Sequence, residues 1–412
     1  MSRNTSTALE GRHNLRHLRA FLAVADTHSA SRAGEICNVS QPAVTQAIAK
    51  TERSFGCSLF TRTPQGLFAT QQGNILAHRL RRAFAFLDPA LTDLSPRLRM
   101  VATSSQLEAL IAVREAENFS LAARRLGLAQ PTVHRAITQL EEEAARPLFE
   151  RTSYGIVATR AANQLAQAAR LAFAELAQAE TDIAETRAEE SGRIVIGAMP
   201  LSRSFVLPKA IAEFRKMRTK MALQVVEGPY AELLSGLRRG EIDFLIGALR
   251  DPAPIGDIVQ RALFSDTLVI VCGRDHPLAS NKKITLGQLA SYPWIVSPRD
   301  TPLRRHFDAL FSEAGLSPLS IVESSSLILM REVLDTTDHL GCISALQAQA
   351  ELSRGLIVAL PVDLDHTARP IGLTLRKDWI PTVAQAKFLE LLELLQDLPE
   401  DAAASERRVD SR

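Results

Sequence analysis

Residue types suited to chemistry at a surface gather in two places in the first 160 residues of this 412-residue chain. Ser40, Gln41, Pro42, Ala43, Thr45, Gln46 and Lys50 follow a turn at Cys37-Asn38-Val39, and Arg62 comes shortly after. Gln130, Pro131, Thr132, His134, Arg135 and Gln139 form a second group, followed by Arg151. Gln can pair bidentately with adenine and Arg with guanine, and small side chains let a helix lie close to base edges. Base readout in a duplex groove is therefore the chemistry on offer, with Arg62 and Arg151 suited to backbone phosphates. Enzymatic chemistry has no comparable support. The chain has no Gly-x-Ser-x-Gly elbow, no Gly-x-x-x-x-Gly-Lys loop and no His-Glu-x-x-His pair, and its nine histidines are scattered. No catalytic residue, metal ligand or cofactor is expected.

The elements that must position these groups form a repeat. Shifted by 89 residues, Gln41-Pro42 falls on Gln130-Pro131, Val44 on Val133, Ala47-Ile48 on Ala136-Ile137, Leu59-Phe60 on Leu148-Phe149 and Arg62-Thr63 on Arg151-Thr152, without a gap. Each copy reads as helix, helix, turn, helix and a short hairpin. Leu18, Phe21, Leu22 and Ala25 give the first helix of copy one an apolar stripe, and Leu107, Leu110, Ile111 and Val113 do so in copy two. Pro42 and Pro131 open the third helix, where a missing N–H is tolerated. Val44, Ala47 and Ile48 then turn inward, leaving the candidate readers outside.

Apolar helix, Gln-Pro-x-Val, then Leu-Phe-x-Arg-Thr-x-x-Gly: this pattern closely resembles the N-terminal DNA-binding domain of LysR-type transcriptional regulators, at 13–70 and again at 102–159. Family members ordinarily carry one such domain, so the duplication is a departure. The copies have diverged. Residues 12–73 carry seven Lys/Arg and three Asp/Glu, against seven and seven over 102–162, so copy one is the better electrostatic binder. Copy two keeps Phe119 where copy one has Ala30, a loss that costs core stability unless neighbours fill in.

Residues 160–190 follow as a linker. Leu165, Ala169, Ala172, Leu176, Ala179 and Ile183 recur at steps of four and three, the seam of a coiled coil, and the resemblance implies dimerisation of two chains there. In the first connector, 71–101, Leu76, Leu80, Ala83 and Leu87 begin the same pattern, which Pro89 and Pro96 are expected to stop, leaving a shortened helix and an extended hinge. Arg79, Arg81, Arg82, Arg97 and Arg99 on it either track phosphate or stay solvated.

From 191 to 400 the periodicity changes. Short apolar runs alternate with helical stretches, which predicts parallel sheets with crossover helices. Arg239-Gly240-Glu241-Ile242-Asp243-Phe244 and Asp275-His276-Pro277-Leu278 resemble the family's effector domain, which implies a two-lobed α/β fold like type 2 periplasmic binding proteins. Ligands of open α/β sheets bind beyond the carboxyl ends of strands. Those ends supply Met199, Leu201, Ser202, Pro229 and Tyr230 in one lobe and Ser297, Arg299, Thr301 and Ser325 in the other. Hydroxyls with an arginine suit a small polar metabolite, a sugar or an organic acid, with Arg favouring the acid. Gly228-Pro229-Tyr230 and Met330-Arg331-Glu332 are similar to the subgroup that regulates sugar uptake.

Composition fits this multidomain reading. Residues 1–100 hold thirteen basic and six acidic residues, whereas the whole chain carries only +2, an excess placed where nucleic acid would meet it. Four isolated cysteines form no Cys-x-x-Cys pair and suit a reducing cytoplasm; Cys272 and Cys342 read as buried strand residues in preference to a redox pair. No apolar run reaches membrane-span length and the N-terminus has no secretory signal. The expectation is a cytoplasmic, ligand-responsive regulator binding double-stranded DNA as a homodimer or homotetramer, a role compatible with RNA polymerase as a further partner. The alternatives are a scaffold in which one or both helix-turn-helix copies bind a partner protein, and a periplasmic-type solute carrier, which the DNA modules disfavour.

Overall fold

The structure, a computed structural model, describes residues 13–153 and 155–394. It divides into two compact units, one reaching Gly192 and including Arg239–Glu241, the other formed by Arg193–Arg238 and Ile242 onward. The expected end of the effector domain at 400 lies outside the described residues.

In the first unit, α1 (Leu15–Thr27), α2 (Ala30–Cys37), α3 (Gln41–Phe55), β1 (Phe60–Thr63) and β2 (Gly66–Ala69) form a winged helix-turn-helix. α4 (Gln71–Leu94) and the short α5 (Leu98–Val101) lead to a second copy: α6 (Ser104–Ala116), α7 (Phe119–Leu126), α8 (Gln130–Ala144), β3 (Phe149–Thr152) and β4 (Gly155–Ala158), followed by α9 (Arg160–Glu185). The copies share specific bonds. Glu52 Oε1 accepts from the Leu59 amide at 2.8 Å and Glu141 Oε1 from the Leu148 amide at 2.8 Å. The wings share one register, Phe60 opposite Ala69 and Phe149 opposite Ala158. Ser29 caps α2 and Asn118 caps α7, and Asn38 and Gly127 adopt left-handed conformations that end those helices.

Copy one compensates for Ala30 with a different aromatic. Phe21 stands where copy two has Leu110, and its ring packs on Phe60 with centroids 5.0 Å apart. In copy two Phe119 meets Phe149 at 6.3 Å. Phe60 and Phe149 thus each have one phenylalanine partner, supplied by α1 in one module and α7 in the other.

The first connector departs from expectation. α4 runs through Pro89 to Leu94 instead of stopping there, and no extended hinge follows, because α5 continues the path as a helical turn. Pro89 removes one backbone bond, to the carbonyl of Ala85, and both residues lie on the exposed side of the helix. The other side carries Leu76, Leu80, Leu87 and Leu91, all fully buried, and that packing outweighs the lost bond.

What buries them is α9. One hydrophobic core takes in those leucines together with Leu165, Ala169, Ala172, Leu176, Ala179 and Ile183 of α9, the core of copy two and Leu15, Leu18, Phe21, Phe55 and Leu59 of copy one, whereas Val24, Ala33, Val44 and Ile48 form a separate cluster. The apolar seam expected between two chains is closed within one.

The second unit is two-lobed. Its elements are β5 (Arg193–Ala198), α10 (Pro200–Ser204), α11 (Val206–Met217), β6 (Ala222–Val226), α12 (Tyr230–Arg238), β7 (Phe244–Ala248) and β8 (Ile258–Asp266), then β9 (Leu268–Cys272), α13 (Leu286–Ala290), β10 (Pro293–Val296), α14 (Pro302–Ser312), β11 (Ser320–Glu323), α15 (Leu327–Thr336), β12 (Leu340–Ser344), α16 (Ala345–Ser353), β13 (Val358–Ala359), β14 (Arg369–Arg376) and α17 (Val383–Leu394). One sheet has the order β6-β5-β7-β14-β8, the other β11-β10-β12-β9-β13. The sheets are mixed, not wholly parallel: β14 runs antiparallel to β7 and β8, and β12 to β9. The cause is the chain path, which leaves the first lobe after β8 and returns in β14. At that crossing the Arg369 guanidinium donates to Asp266 Oδ2 at 2.8 Å, and the Leu268 amide donates to Thr367 Oγ1 at 3.0 Å.

Candidate DNA interface and effector cleft

The readers of copy one sit on α3. Ser40 is its N-cap, its hydroxyl accepting from the Ala43 amide at 3.4 Å, and Pro42 occupies the first turn. Burial of Val44, Ala47, Ile48 and Thr51 fixes the helix rotation, so Gln41, Ala43, Thr45, Gln46 and Lys50 are exposed, as is Arg62 on the wing. Thr45 Oγ1 donates to the Gln41 carbonyl at 3.1 Å.

α8 presents the matching face with different chemistry. Ala129 replaces the capping serine and makes no side-chain cap. Gln130, Pro131, Thr132, His134, Arg135, Gln139 and Arg151 are exposed. Two of them already have contacts inside the module: His134 packs on Phe119 with ring centroids 5.1 Å apart, and Gln139 Oε1 accepts from Gln106 Nε2 at 3.2 Å.

Each connector arginine is paired with an acid, and Arg81, Arg97 and Arg99 stay largely exposed. Arg79 is buried and donates to Glu175 at 3.1 Å, Gln178 at 2.8 Å and Asp182 at 2.8 Å. Arg82 meets Glu175, Arg81 meets Asp26, Arg97 meets Glu143 and Arg99 meets Asp88.

In the effector unit the candidate residues fall at strand ends as expected, in unequal roles. Met199 and Leu201 are buried beside β5. Ser202 is fully buried, its hydroxyl donating to the carbonyls of Met199 at 2.7 Å and Ile246 at 3.1 Å, so it fastens α10 to the sheet. Thr301 caps α14, accepting from the Arg304 amide at 3.2 Å. Arg299 is exposed and donates to Glu323 at 3.3 Å; the buried Arg304 takes the same carboxylate at 2.7 Å. Ser297 is half-buried, while Pro229 and Ser325 are exposed.

Tyr230 is the most telling of them. Its hydroxyl is buried and makes no hydrogen bond, and Arg250 lies over its ring, 4.5 Å from the centroid. Burial pushes the Tyr230 hydroxyl above its ordinary pKa and the Arg250 guanidinium below its own. Asp300 and Arg305 of the second lobe act electrostatically on Arg250. Among the described residues no cluster of three or more His, Cys, Asp or Glu could hold a metal ion.

Known proteins share this layout. Residues 15–74 and 104–163 each match the bacterial regulatory helix-turn-helix domain of the lysR family, and 187–396 match the LysR substrate binding domain. The HTH-type transcriptional regulator GalR of Pseudomonas putida is 34% identical over 380 residues, which cover 91% of this chain and 96% of that protein. The chain belongs to the LysR family of transcriptional regulators. PcaQ of Agrobacterium fabrum is 27% identical over 287 residues, 69% of this chain and 92% of its own. Among solved structures, full-length OxyR from Pseudomonas aeruginosa superposes with a TM-score of 0.52 at 21% identity, covering 72% of this chain and 95% of that one. CbnR bound to its target DNA gives 0.51 at 20% identity, covering 71% and 99%.

Each module exposes its candidate readers, and the effector unit has the two-lobed form. Sequence reasoning missed Arg250 and Arg305 in that unit, since neither sits in a motif; a cation just after a strand end, as Arg250 follows β7, was the available signal. No described helix is long and apolar enough to cross a membrane.

Proposed function

We propose that this LysR-type regulator grips double-stranded DNA with both of its winged helix-turn-helix modules and responds in the cytoplasm to a small organic acid held between the effector lobes. The observation that carries the effector class is Tyr230 with Arg250. A buried hydroxyl without a hydrogen-bond partner costs about 1–3 kcal/mol, and a desolvated guanidinium beside it adds a positive charge. A carboxylate satisfies both at once. A neutral sugar leaves the charge uncompensated.

Closure of the lobes on the ligand would tilt the balance between two arrangements of the DNA-binding unit, to the extent that the ligand binds one arrangement better. Assembly of chains has an available surface away from the linker. Edge strand β11 and the start of α15 expose Ile321, Val322, Ile328 and Leu329, an apolar edge of the kind a second copy covers.

A thermal-shift panel of small carboxylic acids and matched neutral sugars tests the effector reading. Stabilisation by an acid, lost in Arg250→Ala and reduced in Tyr230→Phe, supports it. Stabilisation by sugars alone, undiminished in both variants, would overturn it.

A further inference from the structure

We infer that one chain carries a complete, asymmetric pair of reading heads, built to read a single bipartite DNA site whose two halves differ in sequence. This rests on the regulator reading above and deepens it.

The contacts between the linker helices give their direction. Gln72 of α4 donates to Thr186 just beyond α9, Arg79 reaches Asp182 and Gln178, and Arg82 reaches Glu175. As the residue number rises along α4 it falls along α9, so the two helices run antiparallel. Two copies of one module joined through antiparallel copies of one helix are related as the halves of a two-fold dimer. Heads so related address half-sites of opposite orientation on a duplex.

The pairing is tied down at both ends by side chains of the opposite repeat. Arg187, beyond α9, donates to the carbonyls of Phe55 and Gly56 at 3.2 and 3.1 Å, where α3 ends. Arg146, beyond α8, donates to the carbonyl of Asp93 near the end of α4 at 2.7 Å, and Arg97 pairs with Glu143 of α8. His13 stacks on Phe55 with centroids 4.5 Å apart and bonds Glu180 of α9 at 2.9 Å, while its carbonyl accepts from Ser104 of α6 at 2.6 Å. Apart from the His13–Phe55 stack, which lies within the first repeat, every tie joins one repeat to the other.

Unlike a dimer of identical chains, the two reading faces differ at six corresponding positions, one of them the N-cap, Ser40 against Ala129. Ala43, Thr45, Gln46, Ala49 and Lys50 on α3 stand where α8 has Thr132, His134, Arg135, Thr138 and Gln139. Gln46 suits adenine and Arg135 suits guanine. Such a pair prefers a non-palindromic site and binds it in one direction, which gives a promoter-facing protein a fixed polarity without a second kind of subunit.

The test uses duplexes selected from a randomised pool by the wild-type chain. Wild type should enrich two dissimilar half-sites in opposite orientation. A chain carrying Ser40→Ala, Ala43→Thr, Thr45→His, Gln46→Arg, Ala49→Thr and Lys50→Gln should instead enrich an inverted repeat of the α8 half-site. Two disabled chains, Gln46→Ala with Lys50→Ala and Arg135→Ala with Gln139→Ala, should each lose about tenfold or more in affinity for the selected site, and mixing them should restore nothing, because the intact heads lie on different chains. Recovery to within about twofold of wild type on mixing would show that heads pair between chains and overturn the inference, as would a wild-type selection that already yields an inverted repeat. Enrichment of no sequence by wild type would instead sink the regulator reading itself.

Discussion

Arg79 and Glu175 lie 96 residues apart in sequence and meet at 3.1 Å, both side chains almost wholly excluded from solvent. One belongs to the linker helix of the first repeat, the other to that of the second. Their contact joins two halves of a duplicated module into one body, with Gln178 and Asp182 satisfying more of the guanidinium.

Removal of Arg79 therefore takes a guanidinium from Asp182 and leaves Glu175 with only one of its two guanidinium partners, Arg82. Arg79→Ala is expected to destabilise the N-terminal unit by about 3–5 kcal/mol, read as a lower urea midpoint for its transition. Arg79→Met together with Glu175→Gln should cost less than the single change, since replacing a buried pair is milder than breaking it. A single-variant loss under about 1 kcal/mol would show that the network is solvated in practice.

Gly73 separates the two copies. A Cβ there would lie 2.1 Å from the Leu59 carbonyl oxygen, whereas Ala162 holds the matching position in copy two, fully buried without a clash. Gly73→Ala should cost about 1–3 kcal/mol through overpacking, and the affinity of copy one for its half-site should weaken as its wing shifts. Unchanged melting of the variant would show that α4 slides freely relative to the wing.

How much of this was legible in the sequence depends on what periodicity can encode. The 89-residue repeat, the inward stripes and the reader positions on α3 and α8 all follow from residue spacing, and the structure places them so. The partner of an apolar stripe is not encoded that way. Leu165 through Ile183 advertise a buried face, and the leucines of α4 that cover it carry the same signature, so the seam reads equally as a contact between chains. Pro89 misled because local propensity, worth about 3 kcal/mol against a helix, is outweighed by packing of four buried leucines. Strand β8 was missed because Gln260, Arg261 and Ser265 break its apolar run; at a sheet edge only part of each strand is buried. Arg250 and Arg305 become candidates only when the fold brings the lobes together.

His276 should give the effector unit a pH-dependent stability. It is buried, its Nδ1 accepts from the Leu278 amide at 3.0 Å, and burial lowers its pKa below 6.5. Because the folded value lies below the unfolded one, the stabilisation is complete above about pH 6.5 and is lost as pH falls through the folded value. The urea midpoint should drop between pH 7.5 and 5.5 in wild type and drop less in His276→Gln. An equal drop in both would assign the pH dependence to other groups.

Cys272 and Cys342 should be inert. Burial pushes the Cys272 thiol up to about 11 and the Cys342 thiol up to about 12, leaving almost no thiolate at neutral pH. Peroxide should leave DNA affinity unchanged, and iodoacetamide should label neither residue until the protein is unfolded. Rapid native labelling of either, read by mass spectrometry of its peptide, would contradict that.

The central claim is that both heads of one LysR chain grip DNA. Its most direct test is affinity for the selected duplex across a salt series, for wild type and for each chain with one head disabled. Both disabled chains should bind more weakly, and the salt slope should shrink in each, because each loses one cation at the duplex surface, Lys50 in one and Arg135 in the other. If either pair of changes leaves affinity and slope at their wild-type values, that head does not touch DNA and the account fails.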